Sequence, residues 1–138
     1  MKLVYSYYAL DIVHKGHLEM MRNAKAIAGD DGKLIVGILT DEAVMEEKPR
    51  PVVSFNERVE LARSIKYVDL VVAQEKYSPL ETIKRLKPDI LMESTSHNEK
   101  EVEKLTEYMK SINGRVITIP YYPHTCSTDI KNSIKGEK

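Results

Sequence analysis

The feature that most restricts the fold is a regular alternation between short, nearly unbroken apolar runs and longer segments with apolar residues every three or four positions. LVYSYY (Leu3–Tyr8), KLIVGIL (Lys33–Leu39), VDLVVA (Val68–Ala73), DILM (Asp89–Met92) and RVITI (Arg115–Ile119) have strand length. They read as buried runs rather than as polar/apolar alternation, the pattern of strands covered on both faces. Between them, His17 to Ala28 places Leu18, Met21, Ala24, Ile27 and Ala28 on one helical stripe. Ser54 and Glu57 give an S-x-x-E start ahead of Phe55, Val59, Ala62 and Ile65. Ser78, Pro79 and Glu81 open a further helix that Pro88 ends, Asn98 to Ser111 turns Val102, Leu105 and Met109 inward, and a closing helix is expected from about Ser127. The alternation predicts a doubly wound α/β fold: a mainly parallel five-stranded sheet with helices on both faces.

In such folds ligands bind beyond the carboxyl ends of the strands. That brings residues 8–17, 40–53, 93–98 and 120–128 to one rim. The second of these, TDEAVMEEKPRPVV, mixes charges with two prolines and reads as a mobile loop with a helical turn at Asp41 to Met45. With 138 residues and neither repeat nor linker, one domain over 1–138 is the simplest organisation. Basic and acidic side chains number 21 each, so bulk attraction to nucleic acid or an anionic membrane is not expected, and any anion site must be local. Cys126 is the only cysteine, and no run approaches membrane-spanning length, which together point to a cytoplasmic protein without an internal disulfide or membrane insertion.

LDIVHKGH (Leu10–His17) carries the chemistry of the first rim segment. His14 and His17 flank Gly16 where a strand gives way to a helix. One reading makes them ordinary capping residues. Another makes Asp11, His14 and His17 a zinc site, but a strand-to-helix turn does not keep three such residues on one face. A third reading accounts for more residues: a helix N-terminus offers amides and partial positive charge to an anion, the two imidazoles add donors, and Gly16 lets the backbone approach a bulky phosphate. Neither G-x-G-x-x-G nor G-x-x-x-x-G-K-[ST] occurs.

HKGH resembles the H-x-G-H signature of the cytidylyltransferase-like nucleotidyltransferases. The likeness extends through TDEAVMEEK, ERVELARSIKYVDLVV and STDIKNSI, in the order and spacing of glycerol-3-phosphate and phosphonate cytidylyltransferases, and covers most of the chain. It implies a Rossmann-like fold and transfer of CMP from CTP to a phosphorylated alcohol or a phosphonate, with release of pyrophosphate. The substrate's own phosphate oxygen would be the nucleophile, leaving the protein to align it and stabilise charge. His14 and His17 would stabilise the transition state and Lys48 would close over the phosphates. Ala9, Leu10, Asp11, Gly16, Arg58, Lys66, Ser127 and Thr128 would surround the nucleotide, with Asp11 orienting the site. Magnesium would accompany the nucleotide without a dedicated set of protein ligands, and relatives are commonly homodimers.

Three departures from the family pattern lie on the same rim. The usual G-T-F-D is Tyr8, Ala9, Leu10, Asp11; G-D-D-W is replaced by Glu93, Ser94, Thr95, Ser96 and His97; and Tyr121 stands for the arginine ahead of S-T, with His124 as its candidate substitute. Glu93, Ser96, His97, Tyr121 and His124 are therefore the expected acceptor-binding residues. The same changes keep open an adenylyltransferase using ATP and a nucleotide-binding module without catalysis.

Overall fold

The computed structural model describes residues 1–94 and 98–119. Strands β1 (Leu3–Tyr8), β2 (Lys33–Leu39), β3 (Leu70–Gln74), β4 (Ile90–Ser94) and β5 (Arg115–Ile119) form one sheet in the order β3-β2-β1-β4-β5. All four pairings are parallel, so every connection must cross over. Helices α1 (Lys15–Ala28), α2 (Asp41–Met45), α3 (Phe55–Arg63), α4 (Leu80–Leu86) and α5 (Glu99–Ser111) lie in these connections. The chain starts in the middle of the sheet, winds outward to β3 and returns to β4, so its direction reverses between β1 and β4. Crevices in doubly wound folds open at that reversal.

The two-residue side-chain period divides the core into two layers. Val4 and Tyr8 of β1 join Leu34, Val36 and Ile38 of β2, and Met21, Ala24 and Ala28 of α1 cover them together with Ala62 of α3. On the opposite face, Tyr5, Ile35 and Leu91 pack with Ile83 of α4 and Leu105 and Met109 of α5. A Cβ at Gly37 would stand 1.8 Å from the Tyr5 hydroxyl oxygen, so this strand position must be glycine to admit the Tyr5 ring. The hydroxyl passes over it and donates to Gln74 Oε1 at 2.6 Å.

Three strands have the expected bounds, and the departures have physical causes. β3 and β4 run on through Gln74 and through Glu93 and Ser94, because these polar residues are buried in paired positions at the carboxyl ends. Helix α1 begins at Lys15, since His14 is its cap, and Leu18 is 39% exposed rather than part of the buried stripe. Ser54 accepts from the Glu57 amide as its S-x-x-E spacing predicts. At α4 the capping position is Pro79, which has no side-chain cap bond, while Ser78 Oγ accepts from the Leu80 amide. The expected C-terminal helix lies outside the described residues.

Candidate active site

The turn from β1 into α1 begins at Leu10, whose φ of 58° is in the left-handed region and whose side chain is buried. Such a conformation costs a non-glycine residue about 1–2 kcal/mol, here held by the surrounding bonds. Asp11, buried beside it, accepts the Val52 amide on Oδ2 at 3.0 Å and the Val53 amide on Oδ1 at 2.7 Å. The carboxylate thus fastens the end of the 40–53 segment to the β1–α1 turn.

His14 caps α1 with its ring. Its Nδ1 accepts the Gly16 amide at 3.0 Å, and His17 Nδ1 in turn receives the His14 amide at 3.3 Å. An Nδ1 that accepts a hydrogen bond carries no proton, so both neutral rings are fixed as Nε2–H tautomers with that donor directed away from the cap. The rings lie 4.0 Å apart between centroids, and His17 meets the edge of Tyr8 at 5.8 Å. Burial lowers the His17 pKa to about 3, with the adjoining His14 adding to the effect; burial lowers that of His14 as well. The pair therefore presents two neutral N–H donors at the positive end of a helix dipole. Because Gly16 N–H is already committed to the cap, the imidazoles rather than that backbone amide are the donors left to an anion here.

Lys48 follows α2, its amide bonded to the Val44 carbonyl at 2.9 Å and its side chain exposed. It lines a small, open cleft with Tyr7, Tyr8, Ala9, Leu39, Val44 and Tyr77. Tyr8 borders this cleft and also meets His17, but its ring packs in the layer under α1 while that of Tyr7 lies in the opposite layer. At the end of β4, Glu93 is buried and accepts from the Tyr7 hydroxyl, 2.7 Å from each carboxylate oxygen. Burial and that carboxylate push the Tyr7 hydroxyl pKa far up, which keeps it a proton donor.

Two basic residues expected at the nucleotide stand elsewhere. Arg58, in the first turn of α3, is fully buried. Its Nη1 donates to the carbonyls of Ala9 at 2.6 Å and Leu39 at 2.7 Å, Nε to Val53 at 3.1 Å and Nη2 to Asp41 at 2.7 Å. It binds the ends of β1 and β2 to the 40–53 segment instead of facing open space. Lys66 lies in the turn before β3, at the end of the sheet away from the rim, with its ammonium 5.3 Å from the Tyr67 ring centroid. Helix α3 runs back along the sheet, which is why one end of ERVELARSIK reaches the rim and the other leaves it. Ser96, His97, Tyr121, His124, Ser127 and Thr128 lie outside the described residues. Tyr7, Tyr77 and Asp41 were not singled out from sequence; the tyrosines of LVYSYY and the acid of T-D-E were the available signals. Among the described residues no group of three His, Cys, Asp or Glu is arranged to hold a metal ion, and no helix is long and apolar enough to cross a membrane.

The histidine-capped helix and the lysine-lined cleft thus stand at the carboxyl ends of the strands, at the reversal of a doubly wound α/β sheet. The chain belongs to the Cytidylyltransferase-like family, which matches it over residues 9–133. It is 33% identical over 122 residues to the FAD synthase of Korarchaeum cryptofilum, across 87% of this chain and 82% of that protein. It is also 34% identical over 136 residues to the bifunctional protein HldE of Campylobacter fetus, covering 97% of this chain but 28% of that longer protein. In fold it resembles the lipopolysaccharide core biosynthesis protein from Thermoplasma volcanium, with a TM-score of 0.74 over 91% of this chain and 99% of that one, at 22% identity.

Proposed function

We propose that this nucleotidyltransferase uses ATP, transferring its adenylyl group to a phosphorylated acceptor and releasing pyrophosphate. The observation that carries the phosphate chemistry is the pair of Nε2–H donors fixed by the α1 cap. Donors held in place before reaction stabilise charge on the transferred and leaving phosphates without reorganising. Adenine is favoured by the likeness to an FAD synthase over most of both chains, because FAD contains an adenylyl group. The cytidylyl reading retains the support of TDEAVMEEK and STDIKNSI, but the segment from the last residues of β4 onward, where G-D-D-W would help hold the nucleotide, reads ESTSH.

In the proposed reaction His14 and His17 donate to the triphosphate, while Lys48 adds a cation from the cleft side. Arg58 and Asp11 hold the two rim segments at a fixed separation. The two buried rim carboxylates have protein partners, Asp11 in the Val52 and Val53 amides and Glu93 in Tyr7. A magnesium ion entering with the nucleotide fits this arrangement only with its ligands drawn mainly from the phosphates.

Pyrophosphate release should be followed with ATP or CTP, magnesium and a panel of phosphorylated acceptors, alongside thermal shifts for each nucleotide. Greater stabilisation and turnover with ATP support the reading. A preference for CTP replaces it with the cytidylyl one, and nucleotide binding without pyrophosphate from any acceptor identifies a non-catalytic module.

A further inference from the structure

We infer that Arg50 leaves its surface ion pair with Asp41 to bind the outer phosphates of the nucleotide, and so holds the departing pyrophosphate. This role rests on the nucleotidyltransferase reading of the site and is the same whether the donor is ATP or CTP.

Arg50 combines an anchored backbone with a loosely held head. Before it, the Lys48 amide donates to the Val44 carbonyl at 2.9 Å and closes the turn after α2. After it, the Val52 and Val53 amides donate to Asp11 at 3.0 and 2.7 Å. Pro49 and Pro51 stand on either side of Arg50 between these anchors. A proline fixes its own φ and confines the residue before it to extended conformations, so the stretch from Lys48 to Pro51 has little freedom to lose when a ligand arrives. The side chain, by contrast, is 74% exposed, with Nη2 3.7 Å from Asp41 Oδ2, beyond hydrogen-bonding distance. An exposed pair of that kind contributes little to stability. Asp41 does not depend on it either, because its Oδ1 receives Nη2 of the buried Arg58 at 2.7 Å. Arg50 can leave without stranding a carboxylate.

The same bonds place the guanidinium at the rim. Asp41 joins Arg50 to Arg58, and Arg58 holds the carbonyls of Ala9 and Leu39, two residues that border the cleft with Lys48. Asp11, the anchor on the other side, is three residues before His14. During transfer an acceptor oxygen bonds to the α-phosphorus, and the bond from that phosphorus to the oxygen bridging the β-phosphorus breaks. Its electron pair departs with pyrophosphate, so negative charge grows on the outer phosphates. His14 and His17 donate hydrogen bonds as neutral rings, whereas Arg50 brings a permanent charge and a planar fork that can span two phosphate oxygens. A cation at that place acts more strongly in the transition state than in the ground state.

Isothermal titration of the whole chain with magnesium pyrophosphate tests this with neither nucleobase nor acceptor present. Arg50→Gln should weaken binding about ten-fold or more, while its urea midpoint stays at the wild-type value because only a weak surface pair is lost. Arg50→Lys, which keeps the charge without the fork, should fall between the two. Lys66→Gln removes one positive charge at the opposite end of the sheet and should change the affinity less than about two-fold. In steady-state turnover, Arg50→Gln should lower kcat more than it raises KM for the nucleotide. No pyrophosphate binding by the wild-type chain, binding by Arg50→Gln within about three-fold of wild type, or an equal loss in Lys66→Gln overturns the inference. Because the titration contains no base, it decides the role of Arg50 separately from the choice between ATP and CTP.

Discussion

Replacing Arg58 with methionine removes a guanidinium that is fully buried yet joins four segments. Methionine keeps much of the side-chain volume, so the loss falls on hydrogen bonding. The Leu39 carbonyl, in a residue only 4% exposed, is poorly placed to take water instead, and such a group left unpaired costs about 1–3 kcal/mol. The carbonyls of Ala9 and Val53 are in half-buried residues and can be partly rehydrated. Asp41 is 21% exposed and keeps Arg50 at 3.7 Å, so its carboxylate is not stranded. Together these terms amount to about 3–5 kcal/mol, the usual cost of breaking a buried ion pair. Asp41→Asn, which retains an acceptor oxygen, should cost about 1–2 kcal/mol, and a double-mutant cycle should give a coupling above about 1 kcal/mol. Urea unfolding measures each as a lower midpoint at unchanged slope. A loss below about 1 kcal/mol in Arg58→Met, with weakened nucleotide binding, would refute the clamp and return Arg58 to the nucleotide.

Other expectations follow from the same geometry. His14→Asn keeps a good helix cap but lacks the Nε2 donor, so turnover should fall about 10²- to 10³-fold with the midpoint nearly unchanged; His17→Ala should lose as much activity and some stability. Because the His17 pKa is lowered from 6.5 to about 3 in the fold, the unfolded chain takes up the proton first. The stability of the nucleotide-free protein should therefore be complete above pH 6.5 and decline as pH falls towards 3, by about 1–2 kcal/mol at pH 5 after allowance for partial exposure, and His17→Gln should flatten that decline in pH-dependent unfolding. Gly37→Ala should cost about 2–4 kcal/mol in urea unfolding by forcing Tyr5 off Gln74; a loss below 1 kcal/mol would mean that the ring moves freely.

Sequence pattern carried the fold far because buried parallel strands are recognisable from composition alone. β1, β2 and β5 have the bounds their apolar runs suggest. Where polar residues are buried the pattern ends too soon: Gln74, Glu93 and Ser94 read as loop, but they pair with the neighbouring strand at the rim. At the site, HKGH and Lys48 were legible as local motifs. The role of Arg58 was not, because its partners Ala9, Leu39 and Asp41 are 17 to 49 residues away and meet only when the sheet has formed. Lys66 illustrates the converse: a motif can be contiguous in sequence while its helix carries one end away from the site. The tyrosine cleft was hidden for the same reason, since Tyr7 and Tyr77 come together through the crossovers between β1 and α4.

The claim on which the mechanism depends is that His14 and His17 face the nucleotide as neutral Nε2–H donors. Nitrogen-15 NMR of the labelled imidazoles near pH 7, before and after adding ATP with magnesium, tests it directly. The expected result is an unprotonated Nδ1 in both rings throughout, with the two Nε2 resonances shifting as nucleotide binds. A protonated Nδ1 in either ring, or Nε2 resonances unmoved by saturating nucleotide, would contradict it.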